Sequence, residues 1–517
     1  MRRVVVAVTA LLITLGGAVI VSYLFLFSAV ADRASRAAPG DTALYLNVYL
    51  QPSAGQQMNL FGLVGHLRGF GDPATLEQKI DEVAARLLAQ AGIDYVADLR
   101  PWLGAQIAIA ASPAETGSAQ DLLLLAVVKD PDAARTGVPR LFASLGVVLG
   151  QETIRGHAVM TSEGTSYALL DDLLLVASTP DRLRAALDAE DDVAPSLADS
   201  PTFLAAMREV AADHLASVYV DLPRAAGFTD ADQVAGYGTV ALSLTAEADG
   251  LHLRGAATFA GDAASERARA AFALAGQSPT LADWMPRTTS AEAVVFGFAQ
   301  TIEELEATLP GDGPVGPAVD ALGQLRLIAG LGLGINFDGD LLPLLDGEVA
   351  VALQSMAADG PHGQIVLRPS DATAAQAGLD RVRSALASRG ARVSTSEVAG
   401  TTITSVAVSQ IGTLAYAVAD DVVILGRDPA DVAAALEAHA AGETLASDDR
   451  HEAAFELAGT HAGNEFWADV PGLVDALTGV FDPGSELRDI LHQIGELAVS
   501  ASANDDRLEI NGVLTVK

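Results

Sequence analysis

The hydrophobic pattern along this chain changes period many times, and then the whole order of changes recurs. One short stretch shows the recurrence best. Residues 171–189 open on Asp171-Asp172, run through the aliphatic Leu173–Ala177, and pass Thr179-Pro180 into a segment with Leu183 and Leu187 four apart. Residues 420–438 repeat this with Asp420-Asp421, Val422–Leu425, Asp428-Pro429, and Val432 and Leu436. Seven of the nineteen positions are identical. A short unbroken aliphatic run predicts a buried strand. Thr179 or Asp428 supplies a side-chain acceptor for free helical N–H groups, and proline suits the first helical position. Each copy therefore predicts a strand, a cap and a helix.

The pattern predicts further strands at Ala43–Leu50, Gln106–Ala110 and Leu122–Val128, two around Thr153 and Tyr167, and one at Leu215–Asp221. Val240–Ala246 and Leu251–Phe259 alternate in polarity and turn through Asp249-Gly250, which predicts a hairpin. A helix is expected from about Pro73 to Gln90, with Leu76, Ile80, Val83, Leu87 and Leu88 on one face and Gly92 at its end. Others are expected from Asp130-Pro131-Asp132 to about Leu145 and from Thr202 to Ala212.

The same order then starts again. Asp340-Leu341-Leu342-Pro343 matches Asp98-Leu99-Arg100-Pro101, and Ala374–Val382 matches Ala133–Leu141. Gly400 matches Gly156, Tyr416-Ala417 matches Tyr167-Ala168, Trp467–Pro471 matches Tyr219–Pro223, and Leu508–Val516 matches Leu251–Phe259. These collinear blocks stand 241 to 257 residues apart. They predict a tandem duplication of an α+β domain with mainly antiparallel sheets, βαββαβ-like with extra strands. The expected divisions are 32–41 as a tether, 42–260 as the first repeat, 261–285 as a connecting helix and linker, and 286–517 as the second repeat.

Composition adds location. The 517 residues include no cysteine, which excludes disulfides, thiolate metal sites and a thiol nucleophile. From Val4 to Ala31 the chain is apolar and uncharged, behind Arg2 and Arg3. A bilayer span needs about 20 apolar residues, and this run is longer than the core of a signal peptide. Residues 1–31 are thus expected to form a transmembrane anchor into the lipid bilayer, with the N-terminus cytoplasmic and the rest extracytoplasmic. Ala29-Val30-Ala31 offers the alternative of a cleaved signal, which the length disfavours. The formal charge is −35, and residues 1–40 sum to +3, leaving −38 on the remainder. Such a surface repels phosphates, so no nucleic-acid partner is expected.

The candidate chemistry is sparse. Gly330–Gly334 is glycine-rich but is not GxGxxG or a Walker loop and does not lead from strand to helix, so no cofactor is expected. There is no GxSxG elbow and no HExxH pair. The nine histidines are scattered and expected at the surface; only His451 and His461 stand near one another. Asp171-Asp172 and Asp420-Asp421 suit turn chemistry better than acid–base work. Asn336–Asp340 alternates oxygen ligands but lacks the glycine and terminal glutamate of a calcium loop, so no metal is expected. Trp102 is expected in the core, because its matched residue is Leu344. No catalytic residue is assigned.

The N-terminal apolar run, Pro39–Leu46, Asp98-Leu99-Arg100-Pro101-Trp102-Leu103-Gly104 and Leu173–Leu187 together resemble the bacterial, membrane-anchored domain of unknown function 3352 family. The resemblance covers most of the chain; Leu341–Gly347 of the second copy lacks the tryptophan. It implies architecture and anchoring and supplies no catalytic residues. The leading expectation is a non-enzymatic module that binds or scaffolds another envelope protein. The alternatives are an envelope hydrolase with acid or histidine chemistry in one copy, and a carrier of an apolar ligand.

Overall fold

A computed structural model describes residues 32–517 apart from 67–84, 86–87, 89–92, 114–119, 163, 227–235, 262–268, 270–275, 303–325, 327–329, 331–334, 358–359, 409–411, 479–483 and 504–506. The expected anchor at 1–31, most of the expected helix from Pro73 to Gln90, Gly92, and all but Gly330 of the glycine-rich run lie outside the described residues. Among the described residues, no helix is long and apolar enough to cross a membrane.

The fold mixes helices with a large antiparallel sheet. Contacts divide the chain into two compact units, 1–260 and 261–517. The first holds β1 (Leu44–Tyr49), β2 (Leu103–Pro113), β3 (Gln120–Val128), β4 (Gly150–Ile154), β5 (His157–Ser162), β6 (Thr165–Leu169), β7 (Leu173–Ala177), β8 (Ala216–Asp221), β9 (Tyr237–Ala246) and β10 (Gly250–Phe259). Across the sheet they run β4-β5-β6-β7-β3-β2-β1-β8-β9-β10, every pair antiparallel. Its helices include α1 (Ala34–Ala37), α2 (Pro131–Ser144) and α3 (Pro180–Glu190).

The second unit holds β11 (Ala291–Phe296), β12 (Glu348–Ala357), β13 (Gly360–Arg368), β14 (Arg392–Val398), β15 (Thr401–Val408), β16 (Gly412–Ala419), β17 (Val422–Gly426), β18 (Asn464–Asp469), β19 (Ile494–Ala503) and β20 (Arg507–Val516). They run β14-β15-β16-β17-β13-β12-β11-β18-β19-β20, again antiparallel. The order is that of the first unit, strand for strand. Its main helices are α4 (Ala372–Ser388), α5 (Pro429–Ala441) and α6 (Asp449–Ala458).

The aliphatic runs are unbroken because the central strands are covered on both faces. In β7, Leu174 and Val176 join a core with Val138, Leu141 and Phe142 of α2, while Leu173, Leu175 and Ala177 join another with Leu183, Ala186 and Leu187 of α3. In β17, Val423 packs on the α4 side, and Val422 and Ile424 pack on the α5 side. The Thr179 hydroxyl accepts from Arg182 N–H, Asp428 accepts from Ala430 and Asp431 N–H, and a proline follows each cap.

Two of the matched blocks meet in space. Tyr95–Leu99 and Phe337–Leu341 each form a single wide helical turn, and the following helix lies against it. Added Cβ atoms show how closely: on Gly378 one would stand 2.5 Å from the Asp340 carbonyl oxygen, and on Gly137 one would stand 2.9 Å from the Trp102 ring. Alanine is the better helix former by about 1 kcal/mol, yet a backbone carbonyl cannot swing aside. Gly378→Ala is therefore expected to lower stability by about 1–2 kcal/mol net, read from its urea unfolding midpoint at unchanged slope.

Three expectations are corrected. Residues 32–41 are no loose tether: Ala34 and Ala37 of α1 are fully buried. Arg33 pairs with Asp172 at 2.8 Å and Glu190 at 2.5 Å, and Asp32 accepts from Tyr45 Oη at 2.7 Å and Gln106 Nε2 at 2.6 Å. The four residues Ala-Ser-Arg-Ala carry no pattern that shows this. The linker is corrected too, because Leu281, Trp284 and Met285 are core residues of the second unit. Finally, three strands, β4, β5 and β6, stand where two were expected around Thr153 and Tyr167, joined by turns at Arg155-Gly156 and Gly164.

Removing residues 1–31 is expected to leave the first unit stable, whereas removing 1–40 strips partners from the buried Tyr45 and Gln106. At about 1–3 kcal/mol per orphaned buried group, the melting temperature falls by several degrees. Calorimetry on the two truncations checks this; equal melting temperatures would show that the packing of α1 adds nothing.

Candidate functional site

The second unit contains an unfilled apolar space on the α4 face of its sheet. Register brings Val351, Ile365 and Leu425 into one row across β12, β13 and β17, while Leu414 of β16 pairs with Val406 of β15. Val382 and Leu386 of α4, with Ile335 and Leu341, face this row and enclose a cavity of about 620 Å³. That is within the usual range for a small-molecule site. Val351 is 46%, Ile365 42% and Leu414 45% exposed, high values for apolar residues on the helix-covered face of a sheet. Gly363, Thr413 and Arg427 are also among its lining residues. No acidic residue is among the described lining residues.

The first unit fills the matched space. Its corresponding row is Ile109, Leu124 and Val176, and there Leu124 and Val176 are only 8% and 6% exposed. Phe142 of α2 stacks on Tyr167 at 4.8 Å, and Trp102 and Leu88 join the same cluster. The positions matched to Phe142 and Trp102 are Arg383 and Leu344. Arg383 turns to solvent and pairs with Asp380 at 2.9 Å. Neither Arg383 nor Leu344 is among the described residues that line the cavity.

The protein-family profile described as "Protein of unknown function (DUF3352)" matches residues 4–514. The chain belongs to the DUF3352 family. A comparison with curated proteins gives no match. Among solved structures, this DUF3352 chain is similar to TP0453: crystal form III is 12% identical, with 49% of this chain and 90% of that one covered at a TM-score of 0.26. Crystal form I gives 12% identity, 46% and 82% coverage, and a TM-score of 0.23. Scores this low carry no structural inference.

The DUF3352 chain also buries a polar cluster that its sequence does not display. Glu292 of β11 is paired with Trp467 of β18, and Glu465 of β18 with Ser500 of β19, all on the face beneath α6. His451 of α6 meets Glu292 at 2.8 Å, the pair being 4% and 2% exposed. His461 meets Glu465 at 3.0 Å, and the two imidazole rings lie 5.9 Å apart, edge to face. Burial pushes the Glu465 carboxyl up, and the hydrogen bond that the imidazole donates to it pushes His461 up. The surface expectation is thus corrected for His451, and also for His214 and His252, which are buried.

The remaining acidic candidates serve the fold. Asp172 binds Arg33, Asp421 stands 3.1 Å from Arg368, and Asp420 takes the left-handed turn conformation. In Asn336–Asp340, Asp340 accepts from Asn336 N–H and Arg381, and Asp338 pairs with Arg326. Two groups among the described residues have ligand atoms close enough for a cation: His362, Asp428 and Asp431, and Glu247, Asp249 and His252. Asp428 and Asp431 form the capping box of α5, and Glu247 pairs with Arg254, so local structure accounts for these carboxylates. Trp102 lies in the core as expected, its indole N–H donating to the Asp98 carbonyl at 2.5 Å.

Proposed function

We propose that this protein is an anchored binding module whose second unit holds a small apolar ligand. The cavity of about 620 Å³ under α4 carries this proposal. An apolar body there covers the exposed parts of Val351, Ile365 and Leu414, at roughly 25 cal/mol per Å² of apolar surface covered. Of the three functional expectations, the apolar carrier is the one with a specific structural observation behind it. The two units are most simply a duplicated domain in which one copy kept a filled core and the other became the binding copy. Residues 1–31 would hold the module at the bilayer with both units outside the cytoplasm.

Two experiments test this. Full-length protein extracted in mild detergent and analysed by native mass spectrometry should carry one apolar ligand per chain; protein that is uniformly ligand-free and takes up no long-chain probe refutes the binding role. The missing cysteines make the topology easy to test. A single Ser388→Cys variant should react with a membrane-impermeant maleimide on intact bacteria, and labelling only after lysis refutes the extracytoplasmic placement.

A further inference from the structure

The N-terminal end of the first unit holds two opposite charges that do not meet. α1 packs against the segment that follows α3: Leu197 N–H donates to the Ala38 carbonyl at 2.7 Å, and Gly40 N–H to the Pro195 carbonyl at 3.0 Å. A pocket of about 650 Å³ lies between α1, the end of α3 and that segment. Acids are dense here, and most are engaged. Asp188 pairs with Arg155 at 2.6 Å, Glu190 with Arg33 at 2.5 Å and Asp191 with His157 at 3.1 Å. Asp199 accepts from the Ser196 N–H and hydroxyl at 3.0 and 2.7 Å. Asp192 and Arg36 are the exceptions. Both are exposed and line the pocket. Among the described residues neither side chain has a hydrogen bond or ion pair, with the other or with any third group.

We infer that this pocket takes a zwitterionic head group of the phosphoethanolamine type, its phosphate on Arg36 and its primary ammonium on Asp192. A guanidinium presents paired N–H donors to phosphate oxygens, and a carboxylate accepts from an ammonium, both as charge-assisted bonds. A simple anion would meet Arg36 with the Asp192 carboxylate opposing it, and a simple cation would meet the reverse. A zwitterion satisfies both, and being neutral it is not repelled by a chain that carries a formal charge of −35. The source is the bilayer. Arg36 stands five residues after the apolar run that ends at Ala31, at most about 18 Å of chain. That source rests on the anchoring proposed above, while the pocket chemistry does not.

The test uses full-length protein in an uncharged maltoside detergent. With no native cysteine, Val193→Cys beside Asp192, where the valine is 56% exposed, carries a polarity-sensitive fluorophore. The probes are glycerophosphoethanolamine, glycerol 3-phosphate and ethanolamine. The zwitterion should bind about 10-fold more tightly than either one-charge fragment. Arg36→Gln and Asp192→Asn should each remove that advantage without changing the melting temperature, because neither side chain bonds to the protein; Arg36→Lys should keep part of it. Fragments that bind as well as the zwitterion, an advantage that survives either substitution, or no binding of the zwitterion overturns the inference. Nanodiscs then test the source. Phosphatidylethanolamine should saturate the signal with no added probe, and phosphatidylcholine, whose quaternary ammonium has no N–H to donate, should not. Equal signals in the two bilayers overturn the lipid source and leave the zwitterion site standing. Protein that does not enter nanodiscs at all refutes the anchoring, and the detergent titration still decides the pocket.

Discussion

Val351→Trp should abolish ligand retention without unfolding the second unit. Val351 lies at one end of the row in the cavity lining and is 46% exposed, so an indole there enters empty space. Overpacking of a filled core costs about 1–3 kcal/mol, but this site has no partners to displace. Stability is therefore expected to hold or rise slightly, since added apolar surface is covered. The ligand fares differently. A ring system standing over that end of the row excludes several methylenes, each worth about 0.8 kcal/mol when buried. Loss of four amounts to about 3 kcal/mol, a fall in affinity of more than 100-fold. Native mass spectrometry should show the variant ligand-free, and urea unfolding should give a midpoint at or above that of the parent. A variant that folds and still carries the ligand at parental occupancy would falsify the assignment of this cavity as the binding site.

Elements that depend on short-range pattern were legible in the sequence. Thr179-Pro180 and Asp428-Pro429 announce a cap and a helix because the interactions lie within four residues. Five aliphatic residues in a row announce a strand covered on both faces, and β7 is such a strand. The recurrence of Asp98-Leu99-Arg100-Pro101 and Gly137 as Asp340-Leu341-Leu342-Pro343 and Gly378 reflects one contact kept twice, between a wide turn and a helix that must approach its backbone.

What escaped depends on distance or on absence. Glu292 and His451 are 159 positions apart and touch only because β11 and α6 share a face. The burial of α1 rests on Arg33 finding Asp172 and Glu190, which no local pattern encodes. The cavity is a missing volume, and hydrophobic periodicity is the same for a filled and an unfilled face. Aligning the repeats sets Trp102 against Leu344 and Phe142 against Arg383, but neither replacement is among the described residues that line the cavity.

Glu292→Ala is expected to be the most destabilising single change in the second unit. The Glu292 carboxylate and the His451 imidazole are 2% and 4% exposed and 2.8 Å apart, with Trp467 and Phe455 against the His451 ring. Removing the acid leaves the His451 Nε2 facing an apolar gap, and breaking such a buried pair from one side costs about 3–5 kcal/mol. Replacing both members with leucine removes the unmet polar group together with its partner, so Glu292→Leu with His451→Leu should recover most of that loss. A double-mutant cycle by urea denaturation therefore gives a large coupling for Glu292 and His451; additive losses would show that the two act independently. The neighbouring pair adds a pH signature. His461 and Glu465 both titrate above their ordinary values, so the folded unit holds more protons than the unfolded chain between each ordinary value and its raised one. Stability must then fall as pH rises, from the ordinary range of a carboxyl for Glu465 and from that of an imidazole upward for His461. The His461→Gln variant loses the imidazole part of this slope. The stability gap between parent and variant is thus expected to be widest below the ordinary imidazole range and to narrow as pH rises through the folded value of His461. A gap that stays constant across that range would mean that the His461–Glu465 hydrogen bond contributes no proton-linked stability.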